Sequence, residues 1–269
     1  MTIAIALKIN DGIVLATDSA STIVGEEIDE GVRPVHHTYF TADKLFNLKK
    51  GSPIGAITWG NGSINNDSIS TVVKDFRKES EKKEFVCVES IACDFKSFLE
   101  NKITPKTSLG FLVAGYSEGK NHPEMFLINI DGGNIEKPKK LNADDPLSIS
   151  WFGETVFLSR LLLGLDEQLI RILKDNIDDI QIIDNILKDC NEKLQLPLGV
   201  PAMPIQDAID LVKFLANFSV SSSRFVPGPQ VIGGPIDIAV ITKHEGFKWI
   251  QRKHYYGKDL NPTTIKGDE

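Results

Sequence analysis

Cysteine is scarce. Only Cys87, Cys93 and Cys190 occur in 269 residues, an odd number that follows neither metal-ligand nor redox spacing. The thiols therefore read as reduced, cytosolic and set in apolar surroundings, and no zinc or other metal site is read from them. An excess of positive charge is also missing: 30 basic against 37 acidic residues give a net charge of -7. That balance removes the electrostatic footprint expected of a nucleic-acid or anionic-membrane binder. No apolar run approaches the roughly 18 residues of a membrane span, and no basic region followed by an apolar run and a cleavage site opens the chain. The expectation is a cytoplasmic protein with neither nucleic acid nor membrane as a partner. There is no GxxxxGK[ST], and "GNGSIN" lacks the third glycine of a dinucleotide loop, so no nucleotide or other cofactor is read.

What the chain does have is apolar material, 41% of its residues, ample for a closed core without staples. In "TIAIALKI", Ile3, Ile5, Leu7 and Ile9 alternate with Thr2, Ala4, Ala6 and Lys8, the period of a strand, and both faces are mostly apolar. "NDG" at 10–12 signals a hairpin turn, with Gly12 supplying a positive φ, and "IVLATDS" reads as the returning strand. "KLFNL" and "IGAITW" form a second hairpin. Helical spacing follows at Ile69, Val72, Val73 and Phe76, and again from Val88 to Leu99. Strands return at "LGFLVAGY", "MFLINI" and "LSISWF", helices over 154–191 and 205–220, and a last hairpin at "IDIAVITK" and "GFKWIQ". Two antiparallel sheets packed face to face, with helices on both outer faces, satisfy this order because every strand then buries both sides. No repeat or linker divides the chain. The expectation is one domain over 1–256, with a long polar loop at 22–41, a helical insertion near 165–203 and a polar tail at 257–269.

Four residues point to chemistry. Removal of Met1 is expected, because threonine is small enough to permit it. Thr2 would then carry a hydroxyl beside a free α-amine whose pKa of about 8 suits it to act as a base. Asp18 closes a strand otherwise made of Ile, Val, Leu, Ala and Thr, so once buried it must be paired. With Asp11-Gly12 as the turn, Asp18 falls opposite Ile5, roughly 10 Å along the strand from Thr2, too far to touch it. Lys44 in "ADKLFNL" is the candidate cation to bridge that gap, and a lysine there lowers the pKa of a neighbouring amine. "WGNGS" places Gly60 and Gly62 between a strand and a helix, where backbone N–H groups and a helix N-terminus favour developing negative charge.

Together these residues resemble a β-type subunit of the proteasome superfamily of N-terminal nucleophile hydrolases, as found among simplified bacterial relatives that also begin Met-Thr. The similarity runs through "TIAIALKINDGIVLATDS", "ADKLFNL", "AITWGNGS", "PIQDAIDLV" and "GGPIDIAVITKHEGF", about two thirds of the chain. It implies an α+β fold, the four-layer αββα sandwich, and catalytic roles for Thr2, Asp18, Lys44 and Gly60. Ala42, Thr58 and Gly62 would line the first specificity pocket, and their small size predicts a roomy one. Two departures stand out. Pro229 and Ile232 occupy the places of the family's supporting aspartate and serine, and "FGET" offers Glu154 or Thr155 where another serine is usual. His36 and His37 read as a solvated loop pair rather than a metal site.

The leading expectation is a threonine peptidase that cuts peptides or unfolded proteins inside a homo-oligomeric ring, with an ATPase unfoldase as a further partner. A ring or scaffold subunit without activity, and an amidase or acyltransferase using the same nucleophile, remain open beside it.

Overall fold

The computed structural model describes residues 2–25 and 34–253. Met1 and its removal, the middle of the 22–41 segment and the tail at 257–269 lie outside the described residues.

The first hairpin joins β1 (Ile3–Ile9) to β2 (Gly12–Thr17), and every residue of both strands is buried. Ile9 pairs with Gly12, so the turn is Asn10-Asp11 rather than Asp11-Gly12. Gly12 is needed as a strand residue: a Cβ there would lie 2.9 Å from the Ile241 carbonyl oxygen. That shift of register brings Asp18 beside Ile3 instead of Ile5, with the Asp18 N–H donating to the Ile3 carbonyl at 3.1 Å.

The polar segment at 22–41 is not a plain loop. Its β-branched residues form β3 (Ser21–Val24) and β4 (Val35–Tyr39), a separate antiparallel pair. His36 and His37 lie on β4, exposed, with the His37 ring edge-on to Tyr39 at 4.5 Å. The second hairpin is β5 (Leu45–Asn47) with β6 (Ile54–Gly60). A tiny hairpin, β7 (Ser63–Ile64) and β8 (Asp67–Ser68), then separates "WGNGS" from helix α1 (Ile69–Ser80), capped by the Ser68 hydroxyl. Helix α2 (Val88–Glu100) is capped by the Cys87 sulfur, and all three cysteines are free. Next come β9 (Leu109–Gly115), β10 (Glu124–Asp131), β11 (Asn134–Ile135), β12 (Lys139–Leu141) and β13 (Ser148–Gly153). Three helices follow: α3 (Val156–Leu163), α4 (Glu167–Asn176) and α5 (Ile180–Leu194). The described chain closes with α6 (Ile205–Ser223), β14 (Asp237–Thr242) and β15 (Gly246–Gln251).

The strands make two large antiparallel sheets, ordered β13-β1-β2-β14-β15 and β11-β10-β9-β6-β5, with β12 also on β10. Alternation along each strand decides the packing. Ile3, Ile5 and Leu7 pack with Leu158 of α3 and Val212 and Leu215 of α6. Their neighbours Ala4 and Ala6 turn the other way, to Ile57, Leu112 and Ala114 of the second sheet. The far face of that sheet, with Phe111 and Val113, packs with Phe76 of α1 and Phe95 of α2. The fold is therefore α+β and antiparallel, with a core on each helical face and one between the sheets. No helix among the described residues is long and apolar enough to cross a membrane. The region near 165–203 differs from the rest: α4 has no buried residue and α5 has only Ile183.

Candidate functional site

Thr2 sits just before β1 on the face that carries Ala4 and Ala6, and is buried. Its carbonyl accepts the Glu154 N–H at 2.7 Å. The approach requires Gly153, which has φ +87° and where a Cβ would stand 2.0 Å from that same carbonyl oxygen. Glu154 thus meets Thr2 through its backbone, and Thr155 opens α3 without a side-chain cap.

Asp18, fully buried, receives four donors. Oδ1 accepts the Ile3 N–H at 3.1 Å and the Lys44 ammonium at 2.6 Å. Oδ2 accepts the Ala20 N–H at 3.2 Å and the Gly233 N–H at 2.9 Å. The corrected register changes its role: Asp18 grips the peptide N–H directly after Thr2 as well as holding Lys44. Four donors satisfy a charge that unpaired would be strongly destabilising here.

The segment in which Pro229 and Ile232 replace the expected aspartate and serine still reaches this centre, by backbone. Besides the Gly233 N–H, the Gly233 carbonyl accepts the Ser19 N–H at 2.9 Å, and the Ser19 hydroxyl donates to the Pro235 carbonyl at 2.6 Å.

Lys44 precedes β5, and its carbonyl accepts the Thr58 N–H at 3.0 Å. Burial pushes the Lys44 ammonium below the usual lysine range; Asp18 pulls it back up, and the positive charge of Lys253 pushes it down again. Along β6, N–H groups two residues apart point to the same side. The Gly60 N–H therefore faces the way the Thr58 N–H does, one step beyond the start of β5, and Gly60 lines the cleft that Thr2 also lines. Gly60 has φ +95°, and a Cβ would lie 2.7 Å from Leu109 Cα and the Ser108 carbonyl oxygen. Because the β7–β8 hairpin intervenes, Gly60 does not open a helix as expected. It is Gly62 that touches α1, its carbonyl accepting the Ile69 N–H at 3.3 Å.

One cleft is lined by Thr2, Ala42, Lys44, Thr58, Gly60 and Gly62, with Asp18 behind it. Its volume is about 50 Å³, so it is not the roomy pocket that small lining residues suggested. Trp59, stacked on Phe152 at 4.1 Å, closes one wall, and Ser21 and Ile69 narrow it further. The Thr58 hydroxyl is already spent on the Gly110 carbonyl at 2.9 Å.

Sequence reasoning missed a second charged group beside the cleft. The Lys253 ammonium bonds Asp237 and lies 3.6 Å from Asp43, which in turn accepts the Ser70 hydroxyl at 3.0 Å. Asp237 carried the same signal as Asp18, a carboxylate at the end of an apolar strand. Among the described residues no cluster of histidine, cysteine or carboxylate side chains is arranged to hold a metal ion.

The fold is that of the proteasome-like Anbu structures. The Anbu (Gly-1) mutant from Hyphomicrobium sp. strain MC1 superposes with a TM-score of 0.55 at 15% identity, covering 94% of this chain and 86% of that one. Anbu from the same strain gives 0.55 at 14%, covering 93% and 86%. Anbu (ancestral beta-subunit) from Yersinia bercovieri gives 0.52 at 13%, covering 94% and 88%. No protein-family model and no curated protein matches the chain. The resemblance to a proteasome β-type subunit is thereby corrected, since these neighbours are Anbu proteins, a distinct family related to proteasome β subunits. The motifs behind that resemblance build the first hairpin, the Lys44 and Gly60 turns, the start of α6 and the β14–β15 hairpin.

Proposed function

We propose that the chain is an N-terminal threonine hydrolase that cleaves peptide bonds through an acyl-enzyme on Thr2. The observation that carries this reading is the gathering of Thr2, the Lys44–Asp18 pair and Gly60 from four separate stretches of chain around one cleft. With Met1 removed, Thr2 Oγ attacks the carbonyl carbon while its own α-amine takes the proton, directly or through one water. The Gly60 N–H stabilises the oxyanion, the amine returns the proton to the leaving amine, and water then hydrolyses the ester. Lys44 keeps the α-amine neutral by electrostatics, and Asp18 fixes Lys44 and the Ile3 amide together.

In this reading the two sheets and their outer helices are the four-layer αββα sandwich of such hydrolases, one domain over 1–256 with insertions near 22–41 and 165–203. Ala42, Thr58 and Gly62 flank the substrate side chain. An assembly of like chains is supported by exposed apolar residues on the second insertion, among them Ile172, Ile180 and Ile182. An ATPase that unfolds substrates would complete such a chamber.

The narrowness of the cleft favours a second reading, an amidase or acyltransferase that accepts a small acyl group on the same nucleophile. Hydrolysis of a peptide library by the wild type and by Thr2→Ala tests both. Thr2-dependent cleavage after bulky residues supports the peptidase, and cleavage confined to small acyl groups supports the second. Hydrolysis that persists in Thr2→Ala contradicts the nucleophile altogether.

A further inference from the structure

The nucleophile and the oxyanion donor of the reaction proposed above belong to different sheets. Thr2 leads into β1, between β13 and β2 of the first sheet, and Gly60 ends β6, between β9 and β5 of the second. A side-chain tie crosses from sheet to sheet on either side of Thr2. On the β2 side Asp18 holds Lys44, which leads into β5. On the β13 side the Phe152 ring stacks on the Trp59 indole, with 4.1 Å between centroids and 9° between planes.

Each ring is next in the chain to a glycine on which the site depends. Trp59 precedes Gly60, and both line the cleft. Phe152 precedes Gly153, which stands against the Thr2 carbonyl, and the Glu154 N–H that follows donates to that carbonyl at 2.7 Å. Neighbouring strands leave room for the rings. Phe152 lies opposite Ala4, and Trp59 lies opposite Gly110, where a Cβ would stand 2.3 Å from the indole.

We propose that Trp59 and Phe152 are a positioning pair whose stack sets how the Gly60 N–H stands to the Thr2 hydroxyl, a role that rests on the function proposed above. The Lys44–Asp18 pair by itself leaves the two sheet ends a pivot. The stack on the other side of Thr2 removes it, because two aromatic faces in flat contact resist both tilt and separation. An oxyanion donor acts only within hydrogen-bond reach of the developing charge, so a small tilt there costs rate rather than substrate binding. Packing alone would ask only for apolar volume, which Ile57, Leu112 and Ala114 supply elsewhere between the sheets.

The experiment compares Phe152→Leu, Trp59→Leu and Phe152→Tyr in the hydrolysis of two fluorogenic peptides, one cut after alanine and one after phenylalanine. Either leucine variant is expected to lower kcat about 10- to 100-fold on whichever peptide the wild type cuts, with KM within about twofold. Phe152→Tyr keeps the ring and should restore kcat to within about twofold of wild type. Retained kcat in a folded leucine variant overturns the proposal, as does a gain of the bulkier peptide alone, which would make the stack a wall and nothing more. Should one leucine variant fail to fold, the other decides. Millisecond exchange at the Gly60 amide, measured by ¹⁵N relaxation dispersion in glycine-labelled protein, reads the bridge without catalysis. Phe152→Leu should raise it and Phe152→Tyr should not; a Gly60 signal in Phe152→Leu as sharp as in the wild type overturns the proposal. Raised exchange in a protein whose wild type shows no Thr2-dependent hydrolysis leaves the bridge standing and defeats the proposed function instead.

Discussion

Two buried lysines lie on the inter-sheet side of the first sheet, one at each end, and they are held in different ways. Lys44, near the Thr2 end, is ion-paired with a carboxylate that four donors fix in place, and it faces a cleft. Lys8, at the other end of β1, donates to the backbone carbonyl of Asn142 at 2.8 Å. Directly across from Lys8 stands Ser148, whose hydroxyl is buried with no partner among the described residues. Burial pushes both ammonium groups below the usual lysine range. Desolvation alone therefore does not mark a functional lysine. What separates the two is an ion pair with a shared, fully satisfied carboxylate, set in the cleft that Thr2 lines.

The sharpest way to break this contrast is Asp18→Ala. It strands the Lys44 charge and three backbone N–H groups, and should cost about 3–5 kcal/mol in denaturant unfolding together with all Thr2-dependent hydrolysis. A variant that unfolds at the wild-type midpoint would show that the carboxylate is not the anchor the geometry makes it. Lys44→Met leaves Asp18 three of its four donors, so a smaller loss of about 2–3 kcal/mol is expected. The acid limb of kcat/KM should move up, because the α-amine loses the cation that keeps it neutral. Gly60→Ala meets φ +95° and a 2.7 Å approach to Leu109, and should cost about 1–3 kcal/mol with a fall in kcat larger than any change in KM.

Lys8→Met sharpens the comparison from the other side, with hydrolysis unchanged and stability at neutral pH within about 1 kcal/mol of wild type. Its signature lies in the pH dependence. Lys8 has a folded pKa below its unfolded value of 10.5, so between the two the unfolded chain binds more protons and wild-type stability rises with pH. Lys8→Met lacks that contribution, and its stability relative to wild type should decline across that window. Melting temperatures that stay parallel from neutral pH to pH ~10 would mean that Lys8 is not buried as a charge.

The same contrast shows what the sequence made legible. The paired strands around "NDG" follow from alternation, but three turn-forming residues in a row allow two registers, and only the packing of Gly12 against β14 selects one. Two residues of slip separated an Asp18 that cannot touch the Thr2 end of β1 from one that hydrogen-bonds the next amide. Lys44 stood out only as a cation able to bridge the gap from Asp18, and Gly60 as a glycine after a strand, since neither a lysine before a short strand nor a turn glycine has a pattern of its own; the family resemblance gave both their roles. The support that Gly233 gives Asp18 was invisible for a different reason: backbone donors leave no residue type to find. Asp237 was within reach, because the reasoning that demanded a partner for Asp18 applies equally to it. The narrow cleft was not, since it depends on Trp59 stacking on Phe152, a contact between distant segments.

The most direct test of the central claim, that Thr2 is an N-terminal nucleophile activated by its own amine, is an intact-mass measurement. Purified protein is weighed before and after exposure to a peptide epoxyketone bearing a small side chain, a probe that needs both the hydroxyl and the free amine. The account predicts a starting mass without methionine and a single adduct that is absent in Thr2→Ala. Retained methionine, or a processed chain that takes no adduct, would contradict it.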